Sequence, residues 1–131
     1  MINKAFYGGL KMSGKIMIVD DAAFMRMMIK DTLKKNGYED LIEAADGEIA
    51  VSQYKAETPD LVIMDITMPN KDGLQALREI KEYDSSAKVV MCSAMGQESM
   101  VVEAIKLGAK DFIVKPFKQE RILKTVTTVL G

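Results

Sequence analysis

Four short apolar runs, spaced along the chain, each end in a charged or hydroxyl-bearing side chain. Residues 15–19 are followed by Asp20 and Asp21, residues 61–64 by Asp65, residues 89–92 by Ser93, and residues 112–114 by Lys115. Apolar runs of this length are typical of strands that are covered on both faces, so they predict four strands of one sheet. If those strands are parallel neighbours, three carboxylates, a hydroxyl and an ammonium group lie together at one edge of the sheet.

Between the runs, apolar residues recur with the spacing of amphipathic helices. Helices are predicted at residues 22–35, 47–57 and 97–107, from Gly73 and after Lys118, with a weak strand at residues 41–44. In the fourth helix we expect Val101, Ala104 and Ile105 to face the core. Five strands alternating with five helices predict an α/β fold with a doubly wound, five-stranded parallel sheet of the flavodoxin-like type. The strand order 2-1-3-4-5 is adopted from that fold, in which ligands bind where the order reverses, beyond strands one and three.

The length of 131 residues predicts one domain, and 48% hydrophobic with 28% charged residues is typical of a globular protein. Residues 1–14 show no periodicity and contain three glycines, so we expect a disordered N-terminal extension or a cloning remnant, followed by the domain at residues 15–131. No apolar run approaches the ~20 residues of a membrane span, and no signal peptide is recognisable. We therefore expect a cytoplasmic protein that binds no membrane.

Histidine is absent from the chain, and cysteine occurs once, at Cys92. The absence of histidine excludes Ser-His-Asp catalysis and most zinc sites. Cys92 lies inside an apolar run, so we expect a buried, reduced thiol. The net charge is −1, and no basic cluster is long enough to indicate nucleic-acid binding. Residues 1–100 carry 12 basic and 16 acidic groups, whereas residues 101–131 carry 6 basic and 3 acidic groups.

The three aspartates at the predicted edge are the candidate functional groups. Two carboxylate charges at ~4 Å repel by roughly 4 kcal/mol at an effective dielectric near 20, so the cluster needs protons or a cation, for which Mg²⁺ is suited. Capping of the first helix explains Asp20 or Asp21 alone, but it does not explain Asp65. Asp65 can act as a nucleophile toward a phosphoryl group, with Lys115 and Ser93 as donors. Taken singly, Lys115 is more simply a solvated lysine at a strand end, and Ser93 a turn residue.

The same segments resemble the receiver domain of two-component response regulators, whose members are a standard example of the strand order 2-1-3-4-5. The resemblance extends over residues 15–131 and rests on four motifs in order: IMIVDD at 16–21, MDITMP at 64–69, CSA at 92–94 and DFIVKPF at 111–117. The runs DDAAFMRMM and CSAMGQ are most similar to single-domain chemotaxis regulators of the CheY type.

The resemblance implies roles for the acidic edge and its neighbours. Asp65 would accept a phosphoryl group from a sensor histidine kinase of the CheA type, and water would later remove it. Mg²⁺ would be bound by Asp20, Asp21, Asp65 and the main-chain carbonyl of Thr67. Thr67 and Met95 would tune dephosphorylation. The protein would catalyse only its own phosphorylation and dephosphorylation and would not otherwise be an enzyme.

The resemblance also implies the phosphoryl-binding and switch residues. Ser93, Ala94 and Lys115 would contact the phosphoryl group. Ser93 and Phe112 would form a switch, in which the aromatic ring moves inward when the hydroxyl is drawn to the phosphate. Two residues depart from the commoner pattern, since serine replaces threonine at Ser93 and phenylalanine replaces tyrosine at Phe112. The second change removes a phenolic hydroxyl from the output surface.

We expect the receiver surface itself to transmit the signal, because the sequence ends directly after the fifth helix and leaves no room for a DNA-binding domain. The positive excess near the C-terminus includes Lys106, Lys110, Lys118 and Lys124. It predicts docking of an acidic or amphipathic segment, such as a flagellar motor switch protein, although a merely solvated face is equally compatible. A phosphatase is a further candidate partner. We expect a monomer that binds no nucleic acid.

Three other functions remain open on the sequence. A phosphorelay intermediate that passes phosphate to a histidine phosphotransfer protein is the main alternative. A Mg²⁺-dependent aspartyl-phosphate phosphatase of the haloacid-dehalogenase type is a second alternative. Such enzymes carry an Asp-x-Asp motif, but here Thr67 occupies the position of the second aspartate, and the length leaves no room for a cap domain. Flavin binding needs a phosphate loop rich in glycine and hydroxyls after strand one, where Asp20 and Asp21 would repel a phosphate.

Overall fold

The computed structural model describes residues 12–131, in which five strands alternate with five helices. In chain order the elements are β1 Ile16–Val19, α1 Ala23–Lys35, β2 Leu41–Ala44, α2 Gly47–Glu57, β3 Leu61–Asp65, α3 Gly73–Tyr83, β4 Val89–Ala94, α4 Glu98–Lys106, β5 Asp111–Lys115 and α5 Gln119–Leu130. The predicted α/β class is confirmed.

The five strands form one parallel sheet in the order β2-β1-β3-β4-β5. This is the predicted flavodoxin-like order, with the reversal between β1 and β3. The register pairs Val19 with Met64, Asp65 with Cys92, and Ala94 with Lys115. The carboxyl ends of β1, β3, β4 and β5 therefore lie along one edge of the sheet.

Alternating side chains of the strands face two separate cores, because successive residues of a strand point to opposite faces. On one face, Met17, Met64 and Met91 pack with residues of α2, α3 and α4. On the other face, Ile18 and Ile63 pack with residues of α1 and α5. Full burial of one such side chain contributes about 1.5–3 kcal/mol relative to exposure, so these layers hold the edge that carries the aspartates.

Two local expectations need correction. In α4, Ala104 is buried and Val101 packs against the core, but Ile105 is 47% exposed. A single residue step rotates the side chain by about 100°, which turns Ile105 away from the sheet that Ala104 contacts. In addition, β3, β4 and β5 continue through Asp65, Ser93 and Lys115, although the predicted strands end at residues 64, 92 and 114.

The disordered lead expected at residues 1–14 falls mostly on residues 1–11, which lie outside the described part of the chain. At residue 12 the backbone is attached to the domain, since the Met12 amide donates to the Gly37 carbonyl at 2.8 Å and Met12 forms an isolated bridge with Tyr38. The division at residue 15 stays a prediction. Among the described helices, none combines the length and apolarity needed to cross a membrane.

Candidate functional site

Three carboxylates meet at the carboxyl edge of the sheet. Asp20 directly follows β1, Asp21 follows it, and Asp65 is the last residue of β3. One oxygen of each carboxylate lies within 4.8 Å of the others. Asp20 is 3% exposed, Asp65 is half-buried and Asp21 is exposed. A cluster of carboxylate oxygens that is open on one side suits a hard divalent cation, so the predicted set fits Mg²⁺.

The position of Asp20 is set by contacts with the start of α1. One carboxylate oxygen of Asp20 accepts the backbone N–H of Ala22 at 2.9 Å. Its carbonyl oxygen accepts a hydrogen bond from the Arg26 guanidinium at 2.6 Å, and Arg26 is held in turn by Glu43 at 2.8 Å. No role was predicted for Arg26. The signal available in the sequence is a basic residue, five positions after Asp21, within an otherwise apolar run.

Lys115 reaches the carboxylates from the end of β5. Its Nζ lies 3.0 Å from Asp20 Oδ2 and 3.3 Å from Asp65 Oδ2. Burial alone would lower the pKa of Lys115, but the hydrogen bond to Asp20 and the negative charges of Asp65 and Asp20 outweigh burial and raise it. Lys115 is therefore protonated at neutral pH. The Lys115–Pro116 peptide bond, whose isomer the sequence does not determine, is cis.

Burial is the main cause that raises the pKa of Asp65 above its ordinary value. The charge of Lys115 opposes that shift, whereas the charge of Asp20 adds to it. Asp65 Oδ1 also accepts the backbone N–H of Ile66 at 3.0 Å. The carboxylate thus has partners on both oxygens and is fixed in orientation at the mouth of the site.

The loop between β3 and α3, residues 66–72, forms one wall of the site and carries Thr67. At its end, a side chain at Gly73 would place its Cβ 2.1 Å from the Asp65 carbonyl oxygen, so only glycine fits this close approach. Asn70 adopts the left-handed region with φ of 68°, and its side chain donates to Asp46 at 2.7 Å. These contacts hold the loop against α2 and α3. Neither Asn70 nor Asp46 was predicted to affect the site.

The end of β4 and the turn after it lie across the site from the loop that follows β3. Ser93 is 1% exposed, whereas Met95 is 79% exposed, and Ala94 and Thr67 are also exposed. The amide of Ala94 donates to the side-chain oxygen of Gln97 at 2.6 Å. The side-chain nitrogen of Gln97 donates to the Thr67 hydroxyl at 2.9 Å. Gln97 belongs to the run CSAMGQ, but no role was predicted for it.

A groove of about 620 Å³ lies between α4 and β5 and begins at Ser93. Phe112, the predicted switch residue, is half-buried in its wall. The apolar residues Val102, Ile105 and Val114 are exposed there. The groove therefore connects the phosphoryl-binding candidate Ser93 with an apolar outer surface.

The four lysines of the predicted output surface are all exposed. Lys106 ends α4 and lines the groove, Lys110 lies between α4 and β5, Lys118 precedes α5, and Lys124 lies on α5. Their positions match the predicted elements. Their contact with a partner stays a prediction.

Comparison with known proteins agrees with the geometry. The profile of the response regulator receiver domain matches residues 16–127. Chemotaxis protein CheY of Bacillus subtilis is 60% identical over 120 residues, which cover 92% of this chain and 100% of that protein. Chemotaxis protein CheY of Thermotoga maritima is 55% identical over 118 residues, which cover 90% of this chain and 98% of that protein.

Solved structures show the same fold. A chain of the CheX–CheY–BeF₃–Mg²⁺ complex from Borrelia burgdorferi superposes with a TM-score of 0.87 and 37% identity, covering 94% of this chain and 96% of that chain. The receiver domain of NtrX from Brucella abortus superposes with a TM-score of 0.84 and 36% identity, covering 88% of this chain and 98% of that chain.

Proposed function

The chain belongs to the response regulator receiver family and is a receiver domain of the CheY type, and we propose that it carries a chemotaxis signal by accepting a phosphoryl group on Asp65. The observation that carries the proposal is the convergence of Asp20, Asp21 and Asp65 with the Lys115 ammonium at one edge of the sheet. The chain contains no histidine, so a phosphohistidine donor must belong to another protein, a sensor histidine kinase of the CheA type.

In the proposed reaction, one carboxylate oxygen of Asp65 attacks phosphorus. The new O–P bond forms as the N–P bond to the kinase histidine breaks, and the imidazole leaves with its electron pair. Lys115, 3.3 Å from Asp65, supplies positive charge to the transferred oxygens. Asp20, Asp21, Asp65 and the carbonyl of Thr67 would bind Mg²⁺, which neutralises charge on the phosphoryl oxygens when it is bound.

The last two residues of β4 would contact the phosphoryl group from the other side. The Ala94 N–H and the Ser93 hydroxyl donate hydrogen bonds to its oxygens. Movement of Ser93 toward the phosphate makes room for Phe112, which lines the same groove. Water later hydrolyses the acyl phosphate, and we expect Thr67 and Met95 to tune the lifetime of that bond. The protein thus catalyses its own phosphorylation and dephosphorylation and acts on no separate substrate.

The signal leaves through the face formed by α4, β5 and α5. Its exposed lysines and apolar groove suit an acidic, amphipathic segment of a flagellar motor switch protein. The protein acts as a cytoplasmic monomer, with no nucleic-acid or membrane partner. A phosphatase is a further proposed partner. In a solved structure, a CheY relative from Borrelia burgdorferi forms a complex with a second protein, CheX.

The experiment is incubation with acetyl phosphate and Mg²⁺, followed by intact mass measurement. The wild type and the control Asp31→Asn, which changes an exposed aspartate on α1, should each gain one phosphoryl group. Asp65→Asn should gain none, and removal of Mg²⁺ with EDTA should prevent the gain in every variant.

An unmodified wild type, or an Asp65→Asn variant that is modified equally well, rejects the proposal. A second assay separates the output hypotheses. Binding of the phosphorylated protein to a motor switch protein supports the chemotaxis function, whereas transfer of phosphate to a histidine phosphotransfer protein supports the phosphorelay alternative.

A further inference from the structure

The side chain of Gln97 connects three segments around the proposed phosphorylation site. Its Oε1 accepts the backbone N–H of Ala94, the last residue of β4, at 2.6 Å. Its Nε2 donates to the Thr67 hydroxyl at 2.9 Å, in the loop after β3, and to the Met100 sulfur at 3.7 Å, on α4. Every polar atom of the Gln97 amide is therefore engaged, which fixes the side chain over the site.

The Ala94 amide has a single hydrogen, and Gln97 occupies it. Ala94 pairs in register with Lys115, whose ammonium lies 3.3 Å from the Asp65 carboxylate. The Ala94 N–H therefore belongs to the same edge of the sheet as Asp65. A phosphoryl oxygen on Asp65 that accepts this N–H, as the proposed function requires, must displace the Gln97 oxygen first.

We propose that Gln97 is a latch that occupies the Ala94 amide in the unphosphorylated protein and is released when a phosphoryl oxygen takes its place. This inference rests on the proposed function and adds a competing ligand to it. Gln97 is the residue directly before α4, and it lines the α4–β5 groove. Its release therefore changes the contacts at the start of α4 at the moment when the site is filled. Gln97 acts on the phosphoryl group through Ala94 and is a positioning residue.

A simpler explanation is that Gln97 only caps a helix start. The bond from the Ala94 N–H to a side-chain oxygen three residues later resembles the return bond of a capping box, although Gln97 itself directly precedes α4. Capping alone does not account for the additional bond to Thr67, which lies 30 residues away in a different loop. The two explanations differ in their consequence. A latch competes with the phosphoryl group, whereas a cap changes stability only.

Affinity for beryllofluoride, a phosphoryl mimic, tests the competition. In calorimetric titrations with Mg²⁺ present, Gln97→Met should bind beryllofluoride about two- to tenfold more tightly than the wild type, the equivalent of one net hydrogen bond. Methionine keeps the size of the side chain and removes its amide. Gln75→Met, which makes the same change at an exposed glutamine of α3, should bind like the wild type.

A second measurement uses the wild type alone, so it does not depend on how a variant folds. In nuclear magnetic resonance spectra, addition of beryllofluoride and Mg²⁺ should shift the Ala94 N–H signal. It should also move the Gln97 side-chain NH₂ signals toward those of solvent-exposed glutamines. Side-chain signals that stay in place while the Ala94 signal shifts would overturn the latch.

The outcomes separate the latch from the function on which it rests. A wild type that binds no beryllofluoride contradicts the proposed function itself. A wild type that binds it, together with equal or weaker binding by Gln97→Met, contradicts the latch and leaves the function intact. A lower melting temperature of Gln97→Met with unchanged affinity assigns Gln97 to capping and equally overturns the proposal.

Discussion

The Lys115 ammonium contacts the carboxylates of both Asp20 and Asp65, whose negative charges would otherwise repel each other. Charges about 3 Å apart attract by roughly 5 kcal/mol at an effective dielectric near 20, but the loss of water around buried groups offsets much of this gain. Asp20 is almost fully buried, so it depends on this partner more than the exposed Asp21 does. The lysine thus supplies, within the chain, part of the positive charge that the acidic cluster requires.

The single thiol of the chain, that of Cys92, lies in the core between the sheet and helices α1 and α5, and we expect it to be unreactive. Cys92 is 2% exposed, and burial raises its pKa to about 12. At neutral pH almost none of it is the reactive thiolate. We therefore expect native protein to react with Ellman's reagent only as fast as it unfolds, and denatured protein to react at once with one equivalent. The measurement is thiol absorbance against time with and without urea.

A matched control for this prediction is Ser52→Cys, at an exposed position of α2. The introduced thiol should react rapidly in the folded protein while Cys92 stays protected. Rapid reaction of one equivalent in the native wild type would show that Cys92 becomes accessible to solvent without unfolding, contrary to the prediction.

Among the elements, α2 is tied to the β3–α3 loop by its first residues. Asp46 caps the helix by accepting the N–H of Ile49 at 2.8 Å, and it accepts the Asn70 side chain at 2.7 Å. The Gly47 amide also donates to the Lys71 carbonyl at 3.1 Å. The Ile49 N–H and then the Asn70 amide lower the pKa of the Asp46 carboxyl. One residue therefore stabilises a helix and a wall of the site together.

Replacement of this residue should lower stability in a pH-dependent way. Asp46→Ala loses the cap and the Asn70 bond, so we expect its free energy of unfolding to fall by about 1–2 kcal/mol at pH 7. Because folding lowers the pKa of Asp46, its contribution is complete above the unfolded value near 3.9 and is lost as the pH falls through the lower folded value. The difference from wild type should therefore shrink below about pH 4 in urea titrations.

Asp72→Ala is the matched control for the second bond. Asp72 caps α3 by accepting the N–H of Gln75 at 2.8 Å, its one side-chain hydrogen bond within residues 12–131, and it is exposed. Its replacement should cost less than that of Asp46. Equal losses, or a loss at Asp46 that grows on acidification, would show that the Asn70 bond does not stabilise the folded state.

The elements were predictable where a local pattern dominates. The helix expected at residues 22–35 is found at Ala23–Lys35, and the weak strand at residues 41–44 is found in place. Strand ends were less predictable, because Asp65, Ser93 and Lys115 are polar and yet continue the strand ladders. The backbone pairs through them regardless of side chain, and polarity alone suggested an end.

The site, too, was predictable from the sequence only in part. Asp20, Asp65 and Lys115 could be brought together from the sequence, because the carboxyl ends of neighbouring parallel strands share an edge. The bonds of Gln97 and Asn70 could not be predicted. They depend on loop conformations, such as the positive φ of Asn70, and on residues that are distant along the chain. No spacing rule encodes such contacts.

At the scale of the whole molecule, the aspartates lie at the carboxyl edge of the sheet, and the proposed docking surface lies beside it, on α4, β5 and α5. Helices α1 and α5 cover one side of the sheet, and α2, α3 and α4 cover the other. The groove between α4 and β5 starts at Ser93 and ends among exposed apolar residues. The positive excess of residues 101–131 lies on these same elements, opposite in sign to the rest of the chain. Charge and apolar surface thus coincide where a partner is proposed to dock.

Charge reversal on this face should weaken docking without affecting the chemistry. We expect the double variant Lys106→Glu and Lys124→Glu, phosphorylated on Asp65, to bind an acidic motor switch segment about threefold to tenfold more weakly than wild type, since exposed charges contribute about 0.2–1 kcal/mol each. Its phosphorylation by acetyl phosphate should be unchanged. Fluorescence anisotropy of the labelled segment measures the affinity, and the difference should diminish as salt screens the charges.

The double variant Lys34→Glu and Lys35→Glu makes the same change in net charge at the exposed end of α1. If the position of the charge matters, this control should bind the segment nearly as well as wild type, because both lysines lie on α1 and neither belongs to α4, β5 or α5. Equal weakening in both double variants would mean that only the overall charge of the molecule attracts the segment. In that case the lysines of the α4–β5–α5 face are solvated groups, and the docking surface lies elsewhere.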